Sequence, residues 1–274
     1  MPRFKLSFVL VLVTLFGYGQ VAFTFITIPP GKYLIGAANN MYNPLKTITT
    51  KAPFYISNTE ITNAQFNNFV VATNYKTTAE KLKNARIFIP GLRAFEWLND
   101  TTAYWRYPNG VARGGITNKT NHPVTCISYI DIEAYCSWAN CRLPTITEWE
   151  IAARAGTTTK YFFIGQATTQ LPQYANIWYG NNHLTADTAD AYMYTAPVAS
   201  FAPNPWGLYD VYGNVFEFCS GTNNLNVNKP NFAIARGGSW WCSQNTCSFF
   251  NSVNMGRTSK IASFSNQGFR VVKK

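Results

Sequence analysis

The chain has 274 residues, of which 47% are apolar, 16% aromatic and only 13% charged, with a formal charge of +11. There is enough apolar material for one large core. Few helices could cover their outer faces with so few charges, so the balance suits a loop-rich fold with aromatic packing. The basic residues are scattered rather than clustered, which together with the export signal below argues against a nucleic-acid partner. No acidic residue follows Glu217, and the C-terminal quarter is therefore electropositive.

Arg3 and Lys5 precede an apolar run from Leu6 to Phe16 of signal-peptide length, too short to span a bilayer securely. Gly17 and Gly19 stand at the small-residue positions of a cleavage site, which places the cut before Gln20, with an uncleaved anchor as the alternative. A secreted or periplasmic domain over 20–274 follows, with no stable membrane span after cleavage. Residues 26–36 read as two short strands around Pro30-Gly31, and 53–61 as another. Thr62 is a helix N-cap, with Ala64, Phe66, Phe69 and Val70 at helical spacing behind it. Residues 76–121 read as a long irregular loop. Ser128 starts a second helix, with Asp131 in its first turn. Thr145 and Glu148 have the spacing of a capping box for a third. Beyond Gly156 only short strands and loops are expected. The class is α+β with little regular secondary structure.

Six cysteines stand at 126, 136, 141, 219, 242 and 247. Export permits disulfides, but spacing does not give the pairing. With no CxxC pair and only His122 and His183 as imidazoles, a His-rich zinc site is not expected. Trp138, Trp149, Trp206 and Trp240 read as core anchors. Arg142 and Arg270 read as partners for carboxylates such as Glu148 and Glu217. Asp210, Gly213, Val215 and Glu217 fall in one tight turn, where two carboxylates and two carbonyls offer the oxygen donors that calcium prefers. Cys242 and Cys247 stand five apart, a spacing open to a structural disulfide or to two unrelated thiols.

Four segments resemble the formylglycine-generating-enzyme (sulfatase-modifying factor) family in order and spacing. They are Glu60-Ile61-Thr62-Asn63-Ala64-Gln65-Phe66; His122-Pro123-Val124 through Arg142-Leu143-Pro144-Thr145 and Glu148-Trp149-Glu150; Asn204-Pro205-Trp206-Gly207-Leu208-Tyr209-Asp210 through Gly213-Asn214 and Glu217; and Arg236-Gly237-Gly238-Ser239-Trp240, closing with Gly268-Phe269-Arg270-Val271. The resemblance implies a variant of the C-type-lectin fold. It also implies a copper-dependent oxidation of a substrate cysteine, in Cys-x-Pro-x-Arg peptides of sulfatase type, to formylglycine. The copper ligands would be Cys242 and Cys247, with Ser239 and Asn266 in the wall of the site. The family's calcium motif falls on the 210–217 turn, and a second calcium loop on Asn176 and Asp190 through side chains and Ile177 and Tyr192 through carbonyls.

The chain departs from the family's active members after Cys247. Asn251 and Met255 stand where arginines are expected, and Ala153 and Val271 where structural cysteines are. The alternative is a non-catalytic secreted binding protein for an extracellular ligand, whose segment 241–267, diversified by a retroelement in some relatives, forms an exposed recognition surface. Trp241, Ser243, Ser248, Phe249, Phe250, Asn251 and Asn254 would be its contacts, mixing aromatic anchors with small polar groups.

Overall fold

The computed structural model describes residues 22–163, 170–185, 188–221 and 231–274. The expected signal segment 1–19 lies outside them. Strands β1 (Phe25–Ile28) and β2 (Gly31–Ile35) form as expected but do not pair with each other. β2 instead makes a hairpin with β3 (Lys46–Thr50), and β1 lies antiparallel to β4 (Phe54–Ser57).

Helix α1 (Asn63–Thr73) starts at Thr62, whose hydroxyl accepts the Gln65 N–H while Gln65 caps the Thr62 N–H in return. Reciprocal boxes of the same kind open α3 (Tyr129–Trp138) at Ser128 and Asp131, and α4 (Ile146–Arg154) at Thr145 and Glu148. Each box satisfies two otherwise orphaned backbone donors, which is why these starts are marked so sharply in the residues themselves.

The long irregular loop expected over 76–121 is a misreading. It holds α2 (Thr78–Leu82), a hairpin of β5 (Ala85–Ile87) and β6 (Leu98–Asp100), and a 3-10 turn at Val111–Arg113. Strands of three residues carry too little alternation to stand out, and the hairpin spans a ten-residue connection in which Pro90-Gly91 is the one turn signal. After β7 (Cys141–Arg142) and α4 come the one-turn helix α5 (Leu171–Tyr174) and strands β8 (Phe216–Cys219), β9 (Phe232–Arg236), β10 (Gly256–Ser259), β11 (Gln267–Gly268) and β12 (Val272–Lys273).

Two four-stranded sheets result, ordered β1-β4-β12-β7 and β10-β9-β8-β11. The terminal segment joins them, because β11 pairs parallel to β8 while β12 pairs with β4 and β7. Trp149 and Trp240 are buried as expected, whereas Trp138 and Trp206 are only half-buried, Trp206 lying edge-on to Tyr33 at the surface.

Between the sheets lies a set of buried charges. Arg270 donates from Nε and Nη2 to the two oxygens of Glu217 at 2.5 and 2.6 Å, and the Trp149 indole N–H donates to the same carboxylate at 2.6 Å. Arg142 grips Glu148 bidentately in a half-exposed pair. A third group carries no sign in the sequence: Glu150 accepts from Arg154, Arg236, Asn43 and the Gly36 N–H. Arg154 stands four residues after Glu150 on α4, but Arg236, Asn43 and Gly36 are too far away in the chain for spacing to reveal them.

Candidate functional site

β9 ends at Arg236, and the next two residues are glycines with φ of +86° and +72°. A Cβ on Gly238 would come within 2.6 Å of the Phe250 nitrogen, so this bend needs glycine. The bend turns Ser239 inward. Its hydroxyl accepts the Asn266 amide at 2.9 Å, and its carbonyl accepts the Cys242 N–H at 2.9 Å. The Cys242 carbonyl in turn accepts from the Trp178 backbone at 2.8 Å.

Between the cysteines, the Ser243 hydroxyl accepts the Asn245 and Thr246 N–H groups and bonds the Thr246 hydroxyl at 2.7 Å. This tight turn brings Cys242 and Cys247 into a disulfide with Cα atoms 4.6 Å apart. Both residues are buried. The four residues expected at the catalytic centre, Cys242, Cys247, Ser239 and Asn266, are thus brought together.

Cys247 and Asn266 line a cavity of about 320 Å³. Its other walls are Phe95 and Trp97 from the β5–β6 connection, Phe216 at the start of β8, and Trp241, Phe249 and Phe264. Sequence reasoning does not single out Phe95, Trp97, Phe216 or Phe264; an Ala-Phe-Glu-Trp run inside a supposed loop is the one available sign. Trp241 is held by His183, stacked on its ring with centroids 4.3 Å apart and bonded to its carbonyl at 2.8 Å. The other cysteines are poor candidates for chemistry. Burial pushes the Cys126 and Cys219 thiols up, and contact with Cys141, followed by burial, does the same to Cys136.

The exposed surface expected over 241–267 does not form as a whole. Trp241, Ser243, Phe250 and Asn251 are buried, while Ser248, Phe249 and Asn254 are partly so. Asn251 serves the fold: it donates to the Ser248 carbonyl and accepts the Val253 and Asn254 N–H groups. Phe250 packs near Tyr161 in the main core. Phe250→Ser is therefore expected to cost about 3–5 kcal/mol of stability, and Phe249→Ser much less, in urea denaturation. Equal and small losses would return Phe250 to the surface.

Of the two calcium constellations, the quartet of Asp210, Gly213, Val215 and Glu217 does not fit as a set, because both oxygens of Glu217 are held by Arg270 and Trp149. Asp210 does keep one buried oxygen, Oδ1, without a hydrogen-bond partner, and so does Glu60 at Oε2. Burial, then the neighbouring Asp210 and Glu217 carboxylates, push Glu60 well above the usual carboxylate range; burial pushes Asp210 up to about 6. Nothing in the sequence marks Glu60 as a member of this cluster. In the other loop the Asn176 amide nitrogen donates to Tyr194 and Asn214, leaving its buried Oδ1 without a partner, and Asp190 accepts the Tyr192 N–H at 3.0 Å. Among the described residues no trio of His, Cys, Asp or Glu side chains is arranged to hold a metal ion, and no helix is long and apolar enough to cross a membrane.

The chain matches the sulfatase-modifying factor enzyme 1-like domain over residues 19–274. It is 33% identical to the formylglycine-generating enzyme of Streptomyces coelicolor, covering 89% of this chain and 87% of the relative. It is 32% identical to the inactive C-alpha-formylglycine-generating enzyme 2 of Mus musculus, over 89% and 84% of the two chains, so identity alone does not separate active from inactive. Among solved structures, PvdO from Pseudomonas aeruginosa superposes with a TM-score of 0.69 at 22% identity, over 92% of this chain and 95% of that one. This chain belongs to the sulfatase-modifying factor family and has its formylglycine-generating-enzyme variant of the C-type-lectin fold.

Proposed function

We propose that this chain oxidises the cysteine of a peptide or protein substrate to a formylglycine aldehyde, with Cu(I) held by reduced Cys242 and Cys247 and dioxygen as the oxidant. The observation that carries this reading is the position of the two cysteines: bonded to each other and buried, with Cys247 in the wall of a cavity that admits a substrate side chain. Two thiolates match Cu(I) in softness and number. Their disulfide must first take up two electrons, and both thiols must lose their protons.

Copper bound there would supply the one-electron chemistry that dioxygen requires. The chain's own residues do the rest. The Ser239–Asn266 pair fixes the polar wall beside Cys247, and the aromatic walls keep bulk water from the reacting carbon. In the overall balance the substrate CH2–SH gives up two hydrogens, water supplies the carbonyl oxygen, and sulfur leaves as hydrogen sulfide. Dioxygen takes four electrons to become water, two from the substrate and two from a thiol reductant. Peptides of the Cys-x-Pro-x-Arg type are the first substrates to try, since relatives are formylglycine-generating enzymes by name.

Titration of the reduced protein with Cu(I) against a competing chelator tests the metal centre. One equivalent is expected to bind, and none after Cys247→Ser; no uptake by the native protein removes copper from the account. Export through residues 1–19 belongs to the same reading, as does a structural calcium at Asn176, Ile177, Asp190 and Tyr192, supported by the open Asn176 oxygen. A chelator is expected to lower the melting temperature by about 5 °C if calcium is near-saturating, because only the folded state binds it. An unmoved melting curve eliminates that site.

A further inference from the structure

The cavity beside Cys247 has a composition that bears on which substrate it takes. Six of its walls are aromatic: Phe95, Trp97, Phe216, Trp241, Phe249 and Phe264. Among the described residues that line it, Arg257 is the one charged side chain and none is a carboxylate. No Asp or Glu occurs anywhere in 218–274, the stretch that forms most of the wall. The nearest acids along the chain are directed elsewhere. Glu96 is exposed and accepts the Arg93 N–H at 3.0 Å, and Glu217 is held by Arg270 and Trp149.

Phe95 is the unusual member. It is 66% exposed and has a φ of +64°, a conformation that bulky side chains rarely adopt. Its ring nonetheless meets Trp241 edge-on, with centroids 5.0 Å apart, at the rim of the cavity. An exposed aromatic held in an unfavourable backbone region is a feature that a recognition role explains and core packing does not.

We propose that this cavity is a pocket for an aromatic side chain of the substrate peptide, close in sequence to its reacting cysteine, and that it selects against the arginine of the sulfatase-type motif. The proposal rests on the oxidase reading for the identity of the reacting cysteine. The volume, about 320 Å³, lies at the low end for small-ligand pockets and suits one ring together with a cysteine. A phenyl or indole ring gains edge-to-face contacts with walls already packed that way, as Trp97 is against Phe264 at 85°. A guanidinium entering the same space gives up its hydration with no carboxylate to receive it, and it approaches the like charge of Arg257. Cation–π attraction to the rings offsets only part of that loss.

The test is a tryptophan-fluorescence titration of the protein as isolated. The probes are Cys-Ala-Pro-Ala-Arg and derivatives in which phenylalanine is scanned through the four positions after cysteine and the arginine is replaced by alanine. At least one phenylalanine peptide is expected to bind about ten-fold tighter than the arginine parent, the usual scale for one well-buried contact. Phe95→Ser, a change at a side chain that is 66% exposed and meets the core only at the Trp241 edge, is expected to erase most of that preference with little change in melting temperature, and Gln267→Glu to shift it toward the arginine peptide. Equal or tighter binding of the parent, no binding of any peptide, or a preference that survives Phe95→Ser overturns the proposal. Oxidation of the same peptides is scored separately. If the aromatic preference holds while nothing is oxidised, the pocket stands and the oxidase reading falls; if the arginine parent is both bound and oxidised best, the reverse follows.

Discussion

Arg270→Ala is expected to destabilise the fold by at least about 3–5 kcal/mol, the scale for breaking a buried ion pair from one side. Arg270 is fully buried and holds both oxygens of Glu217; it also donates to the carbonyls of Ser57, Asn58 and Tyr209. Its charge is further felt by Glu60 and Asp210, so its loss leaves three buried carboxylates without their cation. Arg142→Ala makes the natural control. That pair is equally bidentate, but the arginine side chain is 37% exposed, and the expected cost is under about 1 kcal/mol. Urea denaturation of both variants measures the contrast. Similar small losses would mean that the charge cluster between the sheets is not what ties the terminal segment down.

Cys247→Ser is expected to lower peptide oxidation by more than about 100-fold while leaving a folded protein, since it removes one of two proposed metal ligands. Closing so short a loop, with half-cystines five apart in sequence, confines the unfolded chain by only about 2 kcal/mol in the loop-entropy estimate. A loss of that size is tolerable for a domain with two large apolar clusters, and it is smaller than the Arg270 effect. Cys242→Ser should match it in activity and stability. Retention of full oxidation by either variant would reduce the pair to a staple.

Part of this molecule is legible in its residues alone. The helix starts at Thr62, Ser128 and Thr145 are, because a capping box is a relation between residues three apart. So are Arg142 and Arg270 as partners of acids such as Glu148 and Glu217, because few acids are present for an arginine to choose from. The cavity is not, because its walls come from residues 95–97, 216, 241–249 and 256–267, brought together only by the β8–β11 pairing and the glycine bend at 237–238. Nor is depth. Phe250 and Asn251 have the residue types of a recognition surface, yet one fills the core and the other folds its own turn. Glu60 escapes notice as a partner of Asp210 because the two lie on segments 150 residues apart.

The Cys242–Cys247 pair is proposed to serve the oxidation of a substrate cysteine. Mass spectrometry addresses it directly, with the protein reduced and loaded with Cu(I), then incubated with dioxygen, a thiol reductant and cysteine peptides carrying either arginine or phenylalanine after the cysteine. The expected product has lost sulfur, gained a carbonyl oxygen and reacts with a hydrazine probe; it is formed by the native protein and absent with Cys247→Ser. Unchanged peptides after prolonged incubation with fully metallated protein would contradict that role for the pair.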